Sequence, residues 1–260
     1  MTILDKIVEY KYTEVEAAKK KKSIGELKDS QGFSRACYSL KESFADKTRN
    51  GIISEFKRAS PSKGLINGTS TVQDVVSAYQ KAKASAVSVL TDSLFFQGSL
   101  TDLEQAREVL EIPLLRKDFI VDPYQITEAK AYGADVILLI AAYLDESQLQ
   151  EYAAEAHELG LSVLLEVHNA EELEKSLHPH VDALGVNNRN LKDFSVQLET
   201  SYDLVDKIPE RYTKVSESGI SHPETIIDLR NRGFQGFLIG ENFMKHESPE
   251  QSIAQFVTQI

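Results

Sequence analysis

Several short stretches of this sequence end an apolar run on a residue able to move or hold a proton. IISEF leads to Glu55 and Lys57, LLRKD carries Lys117 and Asp118, and LLEV carries Glu166. LGVN ends on Asn187, and VSES carries Glu217 and Ser218. Lysines placed among glutamates in a poorly solvated site shift one another's proton affinity, which is what general acid–base chemistry needs. Any one of these residues has a plainer use as a salt bridge or strand-end cap. Many of them aimed at one place are hard to explain by stability, because a buried charge costs several kcal/mol unless it is paired. A second pattern is made of glycine: Ser218-Gly219 and Gly240-Glu241-Asn242 each follow an apolar run. Glycine lets backbone N–H groups come close to phosphate oxygens, and a helix N-terminus adds a favourable dipole. Either loop alone reads equally well as a turn.

The elements that would gather these residues are visible as a repeat. Eight apolar runs, at residues 51–57, 86–92, 112–118, 134–140, 161–167, 181–187, 213–219 and 235–240, alternate with helical patterns such as 71–82, 123–133 and 145–160. The runs are apolar on both faces, as buried parallel strands are. Gly133, Gly160 and Gly233 fall where helix C-caps belong. The alternation predicts an α/β fold, a (β/α)8 TIM barrel, whose chemistry belongs at the C-terminal strand ends. An open doubly wound sheet is the alternative, and the lack of GxGxxG after the first run counts against it. Residues 3–22 predict a charged amphipathic helix, with Ile3, Ile7 and Tyr10 at helical spacing. Glu55 and Lys57, two apart on a strand, should share a face. Phe56 is expected in the barrel–helix layer, and Arg58 pointing out of the mouth.

At 260 residues the chain has the usual length of one such barrel, and 42% hydrophobic with 27% charged residues is ordinary globular composition. The longest apolar run, Val136 to Leu144, is too short to span a bilayer, and the first residues are charged from Asp5 onward. The single Cys37 cannot form an intrachain disulfide, so a cytoplasmic protein is expected. A net charge of -11 argues against nucleic acid or an anionic membrane as partner. It leaves room for an anionic metabolite, because local lysines outweigh screened distant charge. Six histidines without ligand spacing predict no metal. The expectation is a monomer acting on a small phosphorylated substrate.

The stretch SEFKRASPSKG (54–64) closely resembles the first-strand signature of indole-3-glycerol phosphate synthases, an acidic residue followed by Lys-Arg-x-Ser-Pro-Ser. The match holds at Glu55, Lys57, Arg58, Ser60, Pro61 and Ser62. Further matches follow in order at SVLTD (88–92), RKDFI (116–120), LLEVH (164–168), GVNNRNL (185–191), SESGI (216–220) and LIGE (238–241). The resemblance spans nearly the whole chain. It implies one domain, with an N-terminal helical extension (1–48) covering the mouth of a barrel at 49–260. The reaction it implies converts 1-(2-carboxyphenylamino)-1-deoxyribulose 5-phosphate to indole-3-glycerol phosphate, carbon dioxide and water, with no metal or organic cofactor. It also implies roles: Lys117 as general acid of ring closure, and Glu166 as the carboxylate of later proton transfers. Lys57 would hold the substrate carboxylate or protonate the leaving hydroxyl, with Glu55 as partner or base. Asn187, Glu217 and Ser218 would position sugar hydroxyls and the phosphate edge, beside Ser60, Gly219, Gly240 and Glu241. Phe96 and Phe119 would wall the aromatic ring, and Arg189 would orient the N-terminal flap or the anthranilate part. Which lysine serves which step stays open.

The chain departs from the family pattern at Lys83-Ala84, where Gly-Ala is usual, and at Asn242-Phe243, where Ser-Leu is usual. The KKKK run (19–22) reads as a solvated helix face or as a substrate-steering charge. A phosphoribosylanthranilate isomerase, another barrel, would need a cysteine–aspartate pair, whereas Cys37 precedes the first strand. A barrel that only binds a phosphometabolite would have lost some of the mouth charges.

Overall fold

The computed structural model describes residues 2–191 and 193–260. Eight parallel strands form one closed barrel: β1 (Ile52–Phe56), β2 (Ala86–Leu90), β3 (Leu114–Lys117), β4 (Val136–Ile140), β5 (Ser162–Val167), β6 (Ala183–Asn187), β7 (Thr213–Glu217) and β8 (Gly236–Ile239). Each pairs with its neighbours in sequence, and β8 returns to β1 with Ile53 opposite Leu238. Closure rules out the open doubly wound sheet.

Strand period sets the layers. Ile53, Leu115, Leu164, Ala183, Val215 and Leu238 turn inward with Val136, Leu138 and Ile140 to form the barrel core. The alternate positions, among them Ile52, Phe56, Leu114, Val163 and Leu165, face the surrounding helices in the larger core. Glu55, Lys117, Glu166, Asn187 and Glu217 are two or four residues beyond inward-facing ones on the same strands. They therefore make the uppermost interior layer, at the C-terminal strand ends.

The helices that wrap the strands follow local rules. Helix Val72–Lys81 starts at Thr71, whose side chain accepts from the Asp74 N–H, and buries Val72, Val75, Val76 and Tyr79 at the spacing of one helix face. Just past its end Lys83 lies in the left-handed region at φ 66°, where Gly133, Gly160 and Gly233 stand at φ 90°, 74° and 107° after other helices. Of these four helix-end residues Lys83 alone carries a side chain, and it is exposed. Lys83→Gly should therefore raise stability by about 0.5–1 kcal/mol, the left-handed penalty less the entropy glycine adds to the unfolded chain. A denaturation midpoint equal to or below wild type would refute this.

Residues before β1 divide between the two ends of the barrel, a correction to the expectation that the whole extension covers the mouth. Helix Ile3–Lys21 lies across the mouth, where Ile3, Leu4 and Ile7 line the cavity. Its Lys11 is buried, with Nζ 2.8 Å from Asp118, 2.9 Å from Asp92 and 2.9 Å from Glu14. Helix Leu40–Ala45 closes the opposite end instead. Leu40 and Phe44 pack into the barrel core, and Ser43 donates to the Ser85 carbonyl just before β2. Among the described residues no helix is long and apolar enough to cross a membrane.

Candidate active site

A cavity of about 590 Å³ opens at the C-terminal strand ends, a size suited to a small ligand. At its floor the Lys117 Nζ donates to Glu166 Oε2 at 3.2 Å and to Glu217 Oε2 at 3.0 Å. Asn187 steadies the pair: its Nδ2 donates to Glu166 Oε1 at 3.0 Å, and its Oδ1 accepts from the Ser218 hydroxyl at 2.8 Å. Burial disfavours the Lys117 ammonium, but Glu217, Glu166 and Glu55 outweigh burial and raise its proton affinity. The two carboxylates on this one lysine are driven apart. Burial pushes Glu217 up; Lys117 pulls it back, and Glu166 and Glu55 push it up again, leaving it at about 7. For Glu166 burial is outweighed by Lys117, His168 and Asn187, which hold it below the usual range. A proton-poor and a proton-rich carboxylate on one ammonium is an arrangement built for proton transfer.

On β1 the Lys57 Nζ lies 2.8 Å from Glu55 Oε1, both facing the cavity. Two glycines make room for the carboxylates. A Cβ at Gly240 would stand 2.5 Å from Glu55 Oε1, and one at Gly185 would stand 2.1 Å from Glu217 Oε1. Gly185→Ala must displace the Glu217 side chain. We expect turnover to fall by about 10²-fold, the lower range for losing a positioned proton-transfer group. Unaltered kinetics with an unaltered melting temperature would show that Glu217 has another place to go.

One side of the cavity is formed by two glycine-bearing loops. Ser218 and Gly219 are consecutive left-handed residues at φ 67° and 80°, and a Cβ on Gly219 would meet Val196 Cγ1 at 2.6 Å. Opposite them Gly240 caps the short helix Glu241–Met244. Asn242, one of the departures, bridges the loops by donating to the Ser221 carbonyl at 3.2 Å, and Phe243 packs against Tyr79 and Phe256. Lys57, Lys63, Arg189 and Lys245 line the same cavity, with Arg189 Nη2 3.6 Å and Lys63 Nζ 3.7 Å from the Glu241 carboxylate. Ser60 lies on its rim. The apolar wall is Phe96 and Phe119, ring centroids 6.1 Å apart, continued by Tyr143 at 6.2 Å from Phe119. Every site residue anticipated from sequence thus lines this cavity.

Residues 4–256 match the family model described as indole-3-glycerol phosphate synthase. The indole-3-glycerol phosphate synthase of Bacteroides thetaiotaomicron is 46% identical over 258 residues, covering 99% of this chain and 98% of that protein. The enzyme of that name from Salinibacter ruber is 44% identical over 257 residues, covering 98% and 95%. The chain belongs to the indole-3-glycerol phosphate synthase family. Solved structures add the fold. A 3-hexulose-6-phosphate synthase from Salmonella typhimurium matches 81% of this chain and 98% of its own with a TM-score of 0.64 at 12% identity. A tryptophan synthase complex from Pyrococcus furiosus gives 0.60 at 16% identity, over 81% and 97%.

Some details of this family member escaped the sequence. Arg58 does not leave the mouth: it has the parity of Phe56, so it turns to the helix layer and makes two bonds to Asp102, at 2.5 and 2.8 Å. Asp118 likewise turns from the floor to Lys11 and Arg116. Burial would raise its pKa, but those two cations bring it down to about 2. The lysines 19–22 line neither cavity at the mouth, and Lys19 pairs with Asp122 at 2.7 Å. Cys37 lies beside Lys130 and the Ala134 carbonyl, which precedes β4 at the end away from the mouth. Lys63 stands one residue past the last matched position of the first-strand signature, and nothing in the sequence around Lys245 marks it. His168 stands two residues after Glu166 and four before Glu172, a spacing that puts it near both carboxylates.

Proposed function

We propose that this chain closes the indole ring of 1-(2-carboxyphenylamino)-1-deoxyribulose 5-phosphate, with Lys117 as the proton donor of the first step. The observation that carries this reading is the Lys117 ammonium held between the buried Glu166 and Glu217 at the floor of a cavity with one cationic and one aromatic side. The substrate phosphate sits on the Ser218-Gly219 and Gly240-Glu241 backbone, beside Lys63, Arg189 and Lys245. Its anilino ring lies against Phe96 and Phe119. Lys57 faces the substrate carboxylate from β1, aligned by Glu55.

The ring carbon bearing the carboxylate attacks the ribulose carbonyl while Lys117 protonates the carbonyl oxygen. Carbon dioxide then leaves, and its bonding electron pair returns to the ring. The new hydroxyl departs as water, taking a second proton from the recharged Lys117 ammonium, and a carboxylate removes a proton from the adjacent sugar carbon to form the indole double bond. Glu166, kept ionised, suits that removal; Glu217 and Asn187 hold the hydroxyl-bearing end through the Ser218 side. A buried ammonium and carboxylate preset at the places where charge develops lower the barrier without reorganisation. Incubating the protein with the carboxyphenylamino-deoxyribulose phosphate and following indole fluorescence tests the proposal. Absence of any fluorescent product, with the protein folded, would overturn it.

A further inference from the structure

The proposed reaction has an unbalanced proton. Two protons are delivered, one to the carbonyl oxygen and one to the departing hydroxyl, and one is recovered from the sugar carbon. The carboxylate leaves as neutral carbon dioxide. Each turnover therefore takes one proton from water, and the site must be recharged. With substrate filling the mouth, Lys117 has Glu166 and Glu217 as its hydrogen-bonded neighbours. The far oxygen of Glu217 is buried without a partner. The far oxygen of Glu166 faces Asn187, which bears no ionisable proton, and His168 Nε2 at 3.4 Å.

His168 stands between two carboxylates. Its Nδ1 lies 3.1 Å from Glu172 Oε2, and its backbone N–H donates to the same oxygen at 2.8 Å. Its Nε2 is buried and makes no hydrogen bond. The ring also borders a second cavity of about 550 Å³ beside the mouth, whose lining includes Thr2, Asp5, Glu172 and Arg189. The charged groups facing the imidazole are Glu166 from β5, Glu172 from helix Ala170–Lys175, and Glu217 from β7. Asp5 and Arg189 lie around the second cavity.

We propose that His168, held by Glu172, is the relay residue that returns a proton from water in the second cavity to Glu166 and so to Lys117. The inference rests on the reading under Proposed function. In the transfer the Nε2–H bond breaks and an O–H bond forms on Glu166, which passes the proton on to the Lys117 amine 3.2 Å away. The neutral imidazole keeps its Nδ1 hydrogen bond to Glu172, and Nε2 regains its proton from water when the ring swings from Glu166 toward the second cavity between turnovers. The 3.4 Å gap is of the length that tightens once substrate is bound. Burial disfavours the imidazolium, but Glu172, Glu166 and Glu217 outweigh it and raise its pKa.

His168→Asn removes the proton carrier without adding charge. In the full-length protein we expect kcat to fall by about tenfold or more, KM to change little, and added imidazole to restore much of the loss. Glu172→Gln weakens the hold on the imidazolium, so the alkaline fall of kcat should move to lower pH. A merely structural role would move melting temperature or KM and would not respond to imidazole. Wild-type turnover together with a His168→Asn kcat within twofold of it and a superimposable pH profile overturns the relay alone. So does a loss that imidazole does not relieve. Wild-type protein forming no indole product removes the function reading, and the relay falls with it.

Discussion

Replacing Lys117 by methionine should leave a folded barrel whose turnover is lower by about 10²–10⁴-fold, the contribution of a positioned general acid. That loss corresponds to about 2.7–5.5 kcal/mol of barrier. Methionine keeps most of the length of the side chain but cannot donate a proton, so the aromatic wall and the glycine loops are untouched. The variant also has a stability signature. Burial and the neighbouring carboxylates raise the folded pKa of Glu217 from the ordinary 4.5 to about 7, so the folded state holds more protons than the unfolded one between these values. Stability from this group is full at low pH and is lost as pH rises through the folded pKa. Without the ammonium, Glu166 and Glu217 repel each other unrelieved, and the window extends upward. The melting temperature of the variant should fall more steeply than that of wild type as pH rises from about 5 to 8. More than about a tenth of wild-type turnover, a change of only about 1.4 kcal/mol, would sink the general-acid assignment.

Lys57→Met is the second large effect. Lys57 and Glu55 form a close pair, and each has a further relation: Glu55 fills the space that Gly240 leaves, while Lys57 faces the cavity. If the pair were only a structural bridge, the variant would lose stability and keep its kcat. An interaction made chiefly in the transition state appears in kcat and not just in KM. We expect kcat to collapse for Lys57→Met with a small change in melting temperature. Glu55→Gln should give a smaller but clear fall, because the amide keeps the shape and cannot accept a proton. Near-normal kcat in both variants, with lowered melting temperatures, would place the pair in the scaffold and leave the chemistry to Lys117 and Glu166.

How much of this was legible before the structure follows from what is local. Each barrel strand lies within its apolar run, because the burial of both faces is written into consecutive residues such as Val136–Ile140. The floor of the cavity was legible for the same reason: alternation puts Lys117 and Glu166 inside with Leu115 and Leu164. Pairings across long separations were not. Nothing near Lys11 announces that its charge ends between Asp92 and Asp118, residues about a hundred positions away in one case. Arg58 turns to the helix layer rather than out of the mouth because the strand parity that carries Glu55 and Lys57 inward continues past the strand end. Gly185 reads as an ordinary strand residue, and its reason, the Glu217 carboxylate lying against it, exists only in three dimensions.

The burial of Lys11 has a consequence for how such a chain can be inherited. Asp92 and Asp118 are both buried, and Lys11 supplies a cation to each from a helix that precedes the barrel. A barrel begun at residue 49 would keep both acids and lose that cation, and stripping one partner from a buried pair costs about 3–5 kcal/mol. Such a loss takes a large share of the roughly 5–15 kcal/mol that holds a domain folded. The first helix therefore cannot be exchanged between relatives as an independent cassette. A recombinant stays stable only where the residue at position 11 and the acids at 92 and 118 descend from the same parent, or from parents that kept the same three charges.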